Sequence, residues 1–149
     1  MEKKQGLGMS PRPCGEHQMV LDLMSGQINF GIARANLLAT TETELTGTNG
    51  RAADVSVWTI TKNGDMHRPV LTVEVVKDKA SFNYSYQSIM EVFGKRKTIE
   101  ESYIYNYVTD VWYRVDRDGS VYEGECYSEL LKINMEVTLV RYKQLKGKR

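Results

Sequence analysis

The sequence predicts a single α/β domain of the α+β kind, built on a mixed β-sheet with helices packed on it. The chain has 149 residues, of which 41% are hydrophobic and 26% charged, as in one ordinary soluble domain. Most segments from residue 36 onward are rich in β-branched and aromatic residues. One helical segment lies between two of these strands, and a strand, crossover helix and strand in this order indicate a parallel pair within a mixed sheet.

The first helix is predicted to begin at Glu16 and to end before Gly31. Residues 1–15 before it are polar and contain Pro11 and Pro13, which predicts a flexible lead. Apolar residues recur at spacings of one and three to four and form one face of the helix: Met19, Val20, Leu23, Met24 and Ile28.

Strands are predicted next. Residues 36–46 are rich in β-formers and end in a turn at 47–50. A strand at 54–60 is joined by a turn at Lys62–Asp65 to the following one. Residues 71–76 form the most apolar short run, with apolar side chains on both faces, which is typical of a strand covered on both sides.

A second helix follows, with Tyr86, Ile89, Met90 and Phe93 at helical spacing and Gly94 able to end it. The remaining predictions are a hairpin at 103–115 broken near Thr109 and Asp110, a turn at 116–119, a helical turn at 128–131 and a last strand at 136–142. The domain therefore covers residues 16–142, and residues 143–149 form a basic tail.

Charge and cysteine content exclude several classes of protein. Lys and Arg total 20 against 19 acidic residues, so the net charge of +1 excludes a polycation that binds nucleic acid through bulk charge. Cys14 and Cys126 form no CxxC pair, which excludes a zinc ribbon or thioredoxin-type site. We find neither a targeting segment nor a run of about 18 apolar residues, and we expect a cytoplasmic protein with no membrane partner.

Two acidic residues mark a candidate metal site. Asp54 and Glu74 each lie on an apolar strand, and neighbouring strands could bring the two carboxylates to one point. Carboxylate oxygens are the ligands that Mg²⁺ prefers, and a bound metal can activate water for attack on a phosphodiester. Asp54 could instead be a turn residue at the start of its strand. Glu74 is harder to explain structurally, because an acid among valines costs free energy unless it is paired or binds a ligand.

These residues resemble a known family. Ala53-Asp54 before the strand at 55–57, then Thr72–Val76 followed by a helix, is similar to the core of the PD-(D/E)XK nuclease superfamily. More narrowly, the chain resembles the Uma-type restriction endonuclease family, which also has a Glu-His pair on its first helix, here Glu16-His17, and an aromatic hairpin, here 105–114. The resemblance spans about residues 15–135 and its motifs are short.

The resemblance implies a restriction-endonuclease-like sheet and hydrolysis of DNA with Mg²⁺ or Mn²⁺. It implies Asp54 and Glu74 as metal-binding acids, with Glu16 as a third acid from the first helix. In the superfamily pattern a lysine follows the second acid after one residue, where it orients water and stabilises negative charge in the transition state. That position here is Val76, which departs from the pattern.

Other residues could supply the missing polar or cationic group. Lys77 follows Val76, although alternation places it on the opposite face of a regular strand. Gln87 lies on the next helix. Four basic residues could hold phosphates beside the acids, or could simply be solvated: Lys79, Lys95, Arg96 and Lys97.

Further motifs favour structural roles. We interpret His17 as a surface or cap residue, because no second His or Cys stands at ligand spacing. The aromatic series from Tyr103 to Tyr113 could stack on bases, but such alternation more often reflects cross-strand packing. Asp116–Gly119 is interpreted as a β-turn rather than a calcium loop, since position twelve of that loop would be Tyr127.

Two functional hypotheses follow. The first is a Mg²⁺-dependent DNA endonuclease in which Asp54 and Glu74 hold the metal, acting as a two-fold homodimer. The second is a catalytically degenerate nuclease-fold protein that binds nucleic acid or a protein partner without hydrolysis.

Overall fold

The structure is a computed structural model that describes residues 15–32, 36–45 and 52–147. The predicted lead before Gly15 and the predicted turn at 47–50 lie outside the described residues. The elements are α1 (Gly15–Gln27), a π-helical turn (Ile28–Ile32), β1 (Leu37–Thr41), β2 (Val55–Ile60), β3 (Met66–Val76), α2 (Lys79–Lys95), β4 (Glu101–Asn106), β5 (Val111–Val115), β6 (Val121–Glu123), β7 (Tyr127–Ser128), β8 (Ile133–Asn134), a 3₁₀ helix (Met135–Leu139) and α3 (Val140–Leu145).

Six strands form one mixed sheet in the order β1-β2-β3-β4-β5-β6. The pair β3 and β4 is parallel and is joined by the crossover helix α2, whereas the other neighbouring pairs are antiparallel. Strands β7 and β8 form a separate two-stranded sheet. The mixed sheet with flanking helices is the architecture that the sequence predicts.

Helices cover both faces of the sheet. On one face, Leu21 and Met24 of α1 belong to the same buried cluster as Val73 of β3. On the other face, Ile89 and Val92 of α2 pack with Val76. Strand β3 is therefore buried on both faces from Val70 to Val76, which confirms the prediction for this segment.

Helix α2 begins directly after β3 because of a capping box. The Asp78 carboxylate accepts the N–H of Ser81 at 2.8 Å, and the Ser81 hydroxyl accepts the N–H of Asp78 at 3.1 Å. The hydrogen bond from the Ser81 N–H lowers the pKa of Asp78. At the other end of α2, Arg117 donates to the carbonyls of Phe93 and Ile99 at 2.5 and 2.6 Å. The helix thus starts at the edge of the sheet where β3 ends.

The predicted last strand at 136–142 is wrong. The chain forms the 3₁₀ helix and α3 there, and α3 extends into the predicted basic tail. The reason is the burial pattern, since the buried side chains recur at i, i+3, i+4 and i+7, as on one face of a helix. They are Met135, Thr138, Leu139 and Tyr142. Where the sequence predicts a helical turn at 128–131, the structure has a turn that begins at Ser128, the last residue of β7, and is closed by the hydrogen bond from the Lys132 N–H to the Ser128 carbonyl oxygen.

The aromatic residues of β4 and β5 pack inside the protein. Tyr103, Tyr105 and Trp112 are buried, and the rings of Tyr105 and Trp112 lie 4.9 Å apart. The interpretation as cross-strand packing is confirmed, because buried rings offer no face to an unpaired base.

Three buried tyrosines predict a loss of stability at alkaline pH. Burial raises the pKa of Tyr103, Tyr105 and Tyr142 above the usual value of 10.0. Above about pH 10 the unfolded chain releases the phenol protons of these tyrosines, whereas the folded state retains them. The free energy of unfolding is therefore unaffected below about pH 10 and falls above it. The slope approaches about 1.4 kcal/mol per pH unit for each tyrosine.

This expectation can be checked by chemical denaturation between pH 8 and 11, with phenolate absorbance recorded in parallel. The variant Tyr105→Phe should show a shallower decline than the wild type, although it starts from a lower stability. Equal slopes for the two proteins, or phenolate formation before unfolding, would contradict the assignment.

Candidate active site

The start of β2 and the end of β3 meet at one edge of the sheet. The two strands are antiparallel and Val55 opposes Val73, so Asp54, just before β2, lies beside the end of β3. Asp54 Oδ2 accepts the N–H of Val75 at 2.7 Å. Because that nitrogen is bonded to the carbonyl carbon of Glu74, standard bond lengths place Oδ2 within about 5 Å of the Glu74 Cα. The fold therefore brings the two predicted acids together along the backbone.

The side chain of Glu74 points toward α2. It is 8% exposed, and the Ser85 hydroxyl donates to its Oε1 at 3.3 Å. A cavity of about 10 Å³ adjoins the carboxylate, which is room for about one water molecule. The cavity is lined by Leu45, Ala53, Thr72, Glu74, Ser88, Ile89 and Val92. Glu74 thus lies in a small pocket of hydroxyl and apolar groups between β3 and α2.

His17 belongs to the same edge. Its Nε2 lies 3.3 Å from Asp54 Oδ2 and 3.1 Å from the carbonyl oxygen of Val75, and its side chain is only 17% exposed. Of the interpretation as a surface or cap residue, the surface part is therefore wrong, whereas the position in the first turn of α1 agrees with the cap region. Its contact with Val75 joins residues 58 apart in sequence, so local spacing could not reveal it.

Glu16 points to the C-terminal helix. Its Oε2 accepts the Tyr142 hydroxyl, and its Oε1 accepts Lys146 Nζ at 2.9 Å. Burial and the Glu16 hydrogen bond raise the pKa of Tyr142. Both carboxylate oxygens of Glu16 therefore contribute to the contact between α1 and α3, and a role as a third metal-binding acid stays a prediction.

The position of the superfamily lysine lies in the core. Val76 is on the same face of β3 as Glu74 and is only 1% exposed, packed under α2. Lys77 is exposed. Gln87 is also exposed, and it follows Ser85 by two residues, about 200° around the helix, which turns it away from Glu74. The catalytic roles of Lys77 and Gln87 stay predictions, and Ser85 of α2 donates a hydrogen bond to Glu74.

The basic residues divide between the two ends of α2. Lys79 is its first residue and lies at the edge that carries Asp54. Lys95, Arg96 and Lys97 lie at the opposite end, about 25 Å away along a 17-residue helix. Lys97 lines an open groove of about 610 Å³ there, with Arg68 and His67 among its neighbours. The fold does not place this triplet beside the two acids.

Two carboxylates are the donors that a metal would find at this edge. Within the described ranges, no group of three or more His, Cys, Asp or Glu side chains is arranged to hold a metal ion. Mg²⁺, however, is commonly bound by one or two carboxylates and retains several waters. The Asp54 side chain is 19% exposed and can meet solvent-borne ligands. The donor chemistry of Asp54 and Glu74 thus fits a hydrated Mg²⁺ or Mn²⁺.

The fold is similar to that of a solved structure from Anabaena variabilis ATCC 29413, described as "a putative nuclease belonging to DUF820". The similarity has a TM-score of 0.56 at 11% sequence identity and covers 87% of this chain and 83% of that one. No protein-family model matches the sequence, and no curated protein matches it. In the part of the chain that the structure describes, no helix is long and apolar enough to cross a membrane. The comparison confirms the predicted nuclease-like fold.

Proposed function

We propose that this chain is a metal-dependent nuclease of the Uma type that hydrolyses DNA phosphodiester bonds at the edge where β2 begins and β3 ends. The observation that carries the proposal is the hydrogen bond from the Val75 N–H to Asp54, which holds one acid against the backbone of the other. The likeness of the fold to a protein described as "a putative nuclease" supports the same reaction class.

In this proposal Asp54 and Glu74 hold Mg²⁺ or Mn²⁺. The bound ion would supply activated water and would neutralise charge on the phosphodiester. Ser85 keeps the Glu74 carboxylate oriented by its hydrogen bond. Lys79, exposed at the start of α2, would contact a phosphate of the DNA backbone. The homodimer and the cytoplasmic location stay predictions.

One observation favours the second candidate, a protein that binds nucleic acid or a protein partner without hydrolysis. The position that carries a lysine in the superfamily pattern is Val76, which is buried under α2. A nuclease without such a cation loses electrostatic stabilisation of its transition state. The fold would then serve for binding alone.

The test is cleavage of duplex DNA by the purified chain with Mg²⁺ or Mn²⁺, with and without EDTA. We expect cleavage that requires the metal and that Glu74→Gln removes, because the amide binds a divalent cation far more weakly than the carboxylate. The matched control is Glu123→Gln on β6, an exposed position on the edge strand, which should cleave like the wild type.

Two outcomes decide between the candidates. Salt-sensitive DNA binding with no cleavage under either metal would overturn the hydrolytic proposal and support the binding protein. Cleavage that persists in Glu74→Gln would show that hydrolysis occurs elsewhere.

A further inference from the structure

Strand β3 continues past the point where β2 begins. Val55, the first residue of β2, opposes Val73. In an antiparallel pair every second residue directs both its N–H and its C=O to the same neighbouring strand. Val75 therefore directs both groups to the β2 side, as Val73 does, but at a level that lies before the first residue of β2. Asp54 Oδ2 accepts that N–H at 2.7 Å, and His17 Nε2 lies 3.1 Å from that carbonyl oxygen. The side chains of Asp54 and His17 therefore take the place of a β2 residue and continue the hydrogen bonding between β2 and β3 by one residue.

The proton on His17 follows from its neighbours. Nε2 lies between the carbonyl oxygen of Val75 and Oδ2 of Asp54, at 3.1 and 3.3 Å. A carbonyl oxygen only accepts hydrogen bonds, so Nε2 carries a proton and donates. The ring thus binds α1 to the end of β3 and lies against Oδ2 of Asp54.

This arrangement orients the Asp54 carboxylate. Oδ2 accepts the Val75 N–H at 2.7 Å and lies 3.3 Å from His17 Nε2. Across residues 15–32, 36–45 and 52–147, no protein donor is found for the other oxygen, Oδ1. The carboxylate is therefore held by one oxygen and presents the other.

We propose that His17 is a positioning residue for Asp54: its Nε2–H is bound to the Val75 carbonyl oxygen, and the ring, 3.3 Å from Oδ2, keeps Oδ2 in place so that Oδ1 is presented to a divalent cation. The cation in this inference rests on the proposed function. The ring is placed by α1, which Glu16 ties to Tyr142 and Lys146 of the C-terminal segment. Residues that orient a metal ligand in this way typically increase metal affinity by about 10- to 100-fold.

The first test measures Mn²⁺ affinity by electron paramagnetic resonance in the full chain. His17→Phe fills the space without a donor, and we expect about 10- to 100-fold weaker binding. His17→Gln carries an N–H near the place of Nε2 and should restore affinity to within a few-fold of wild type. Gln18→Ala, on the same helix, should bind Mn²⁺ like the wild type.

The second test needs no metal. Hydrogen exchange of the Val75 amide reports whether Asp54 still accepts its N–H, and we expect exchange about ten-fold faster in His17→Phe but not in His17→Gln. The Val73 amide, which faces β2 in the same way, is the internal control for general loosening.

The outcomes separate the two proposals. If the wild type binds no Mn²⁺, the metal site of the proposed function fails, and Val75 exchange alone decides whether His17 positions Asp54. Unchanged Val75 exchange in His17→Phe would overturn the positioning role. Equal impairment in His17→Gln and His17→Phe would also overturn it, because the ring would then matter only for packing.

Discussion

Glu74→Leu is expected to abolish metal-dependent DNA cleavage and to lower the free energy of unfolding by about 1–3 kcal/mol. The Glu74 side chain is 8% exposed, and its cavity is lined by apolar groups that include Leu45, Ile89 and Val92. Leucine offers no acceptor to the Ser85 hydroxyl, and a buried donor left without its acceptor costs free energy.

The measurement pairs chemical denaturation with the cleavage assay on one preparation. Glu74→Gln serves as the matched variant, since it keeps an acceptor for the Ser85 hydroxyl and loses the charge. A leucine variant as stable as the wild type would show that the Ser85 contact contributes nothing to the fold. Wild-type cleavage by the leucine variant would remove Glu74 from the reaction.

The core of the fold follows from local sequence patterns. The doubly apolar run at 71–76 lies within β3, and Tyr86, Ile89 and Phe93 lie on α2, at the predicted places. The hairpin breaks at Asp110, which has a positive φ of 59°. These elements were predictable because their periodicity and turn residues encode them within about ten residues.

The C-terminal segment shows where local propensity misleads. Val137, Thr138 and Val140 are β-branched and predict a strand. Contact with α1 decides otherwise, because Leu139 and Tyr142 bury against that helix and the chain coils to bring both to one face. Tertiary packing overrides a weak strand propensity here.

The candidate site was predictable only in part. Asp54 and Glu74 are acids in apolar strands, and this pattern is visible in the sequence. The contacts of His17 and Ser85 are not, because they depend on how α1 and α2 pack on the sheet. The net charge of +1 does not indicate where the basic triplet at 95–97 lies. Its position depends on the length of α2, which places the triplet at the opposite end of the helix from Asp54 and Glu74.

Asp54→Ala is expected to lose both cleavage and stability. Without the carboxylate, the Val75 N–H loses its acceptor and His17 loses its charged neighbour, and we expect a loss of about 1–3 kcal/mol in the free energy of unfolding. Asp54→Asn keeps one oxygen that can accept the Val75 N–H, so its loss should be about 1 kcal/mol. Both variants should cleave DNA at least about 10³-fold more slowly, because a metal ligand is worth several kcal/mol in the transition state.

The asparagine variant separates the two roles of Asp54, since it repairs the backbone contact without restoring the charge. Asp65→Ala, which removes an exposed carboxylate from the turn before β3, is the matched control and should change stability by less than about 0.5 kcal/mol with no effect on cleavage. If Asp54→Asn cleaves DNA as fast as the wild type, Asp54 serves only to accept the Val75 N–H at the end of β3. If Asp54→Asn is stable and inactive while His17→Phe is stable and weakly active, the carboxylate binds the metal and the histidine holds it in place.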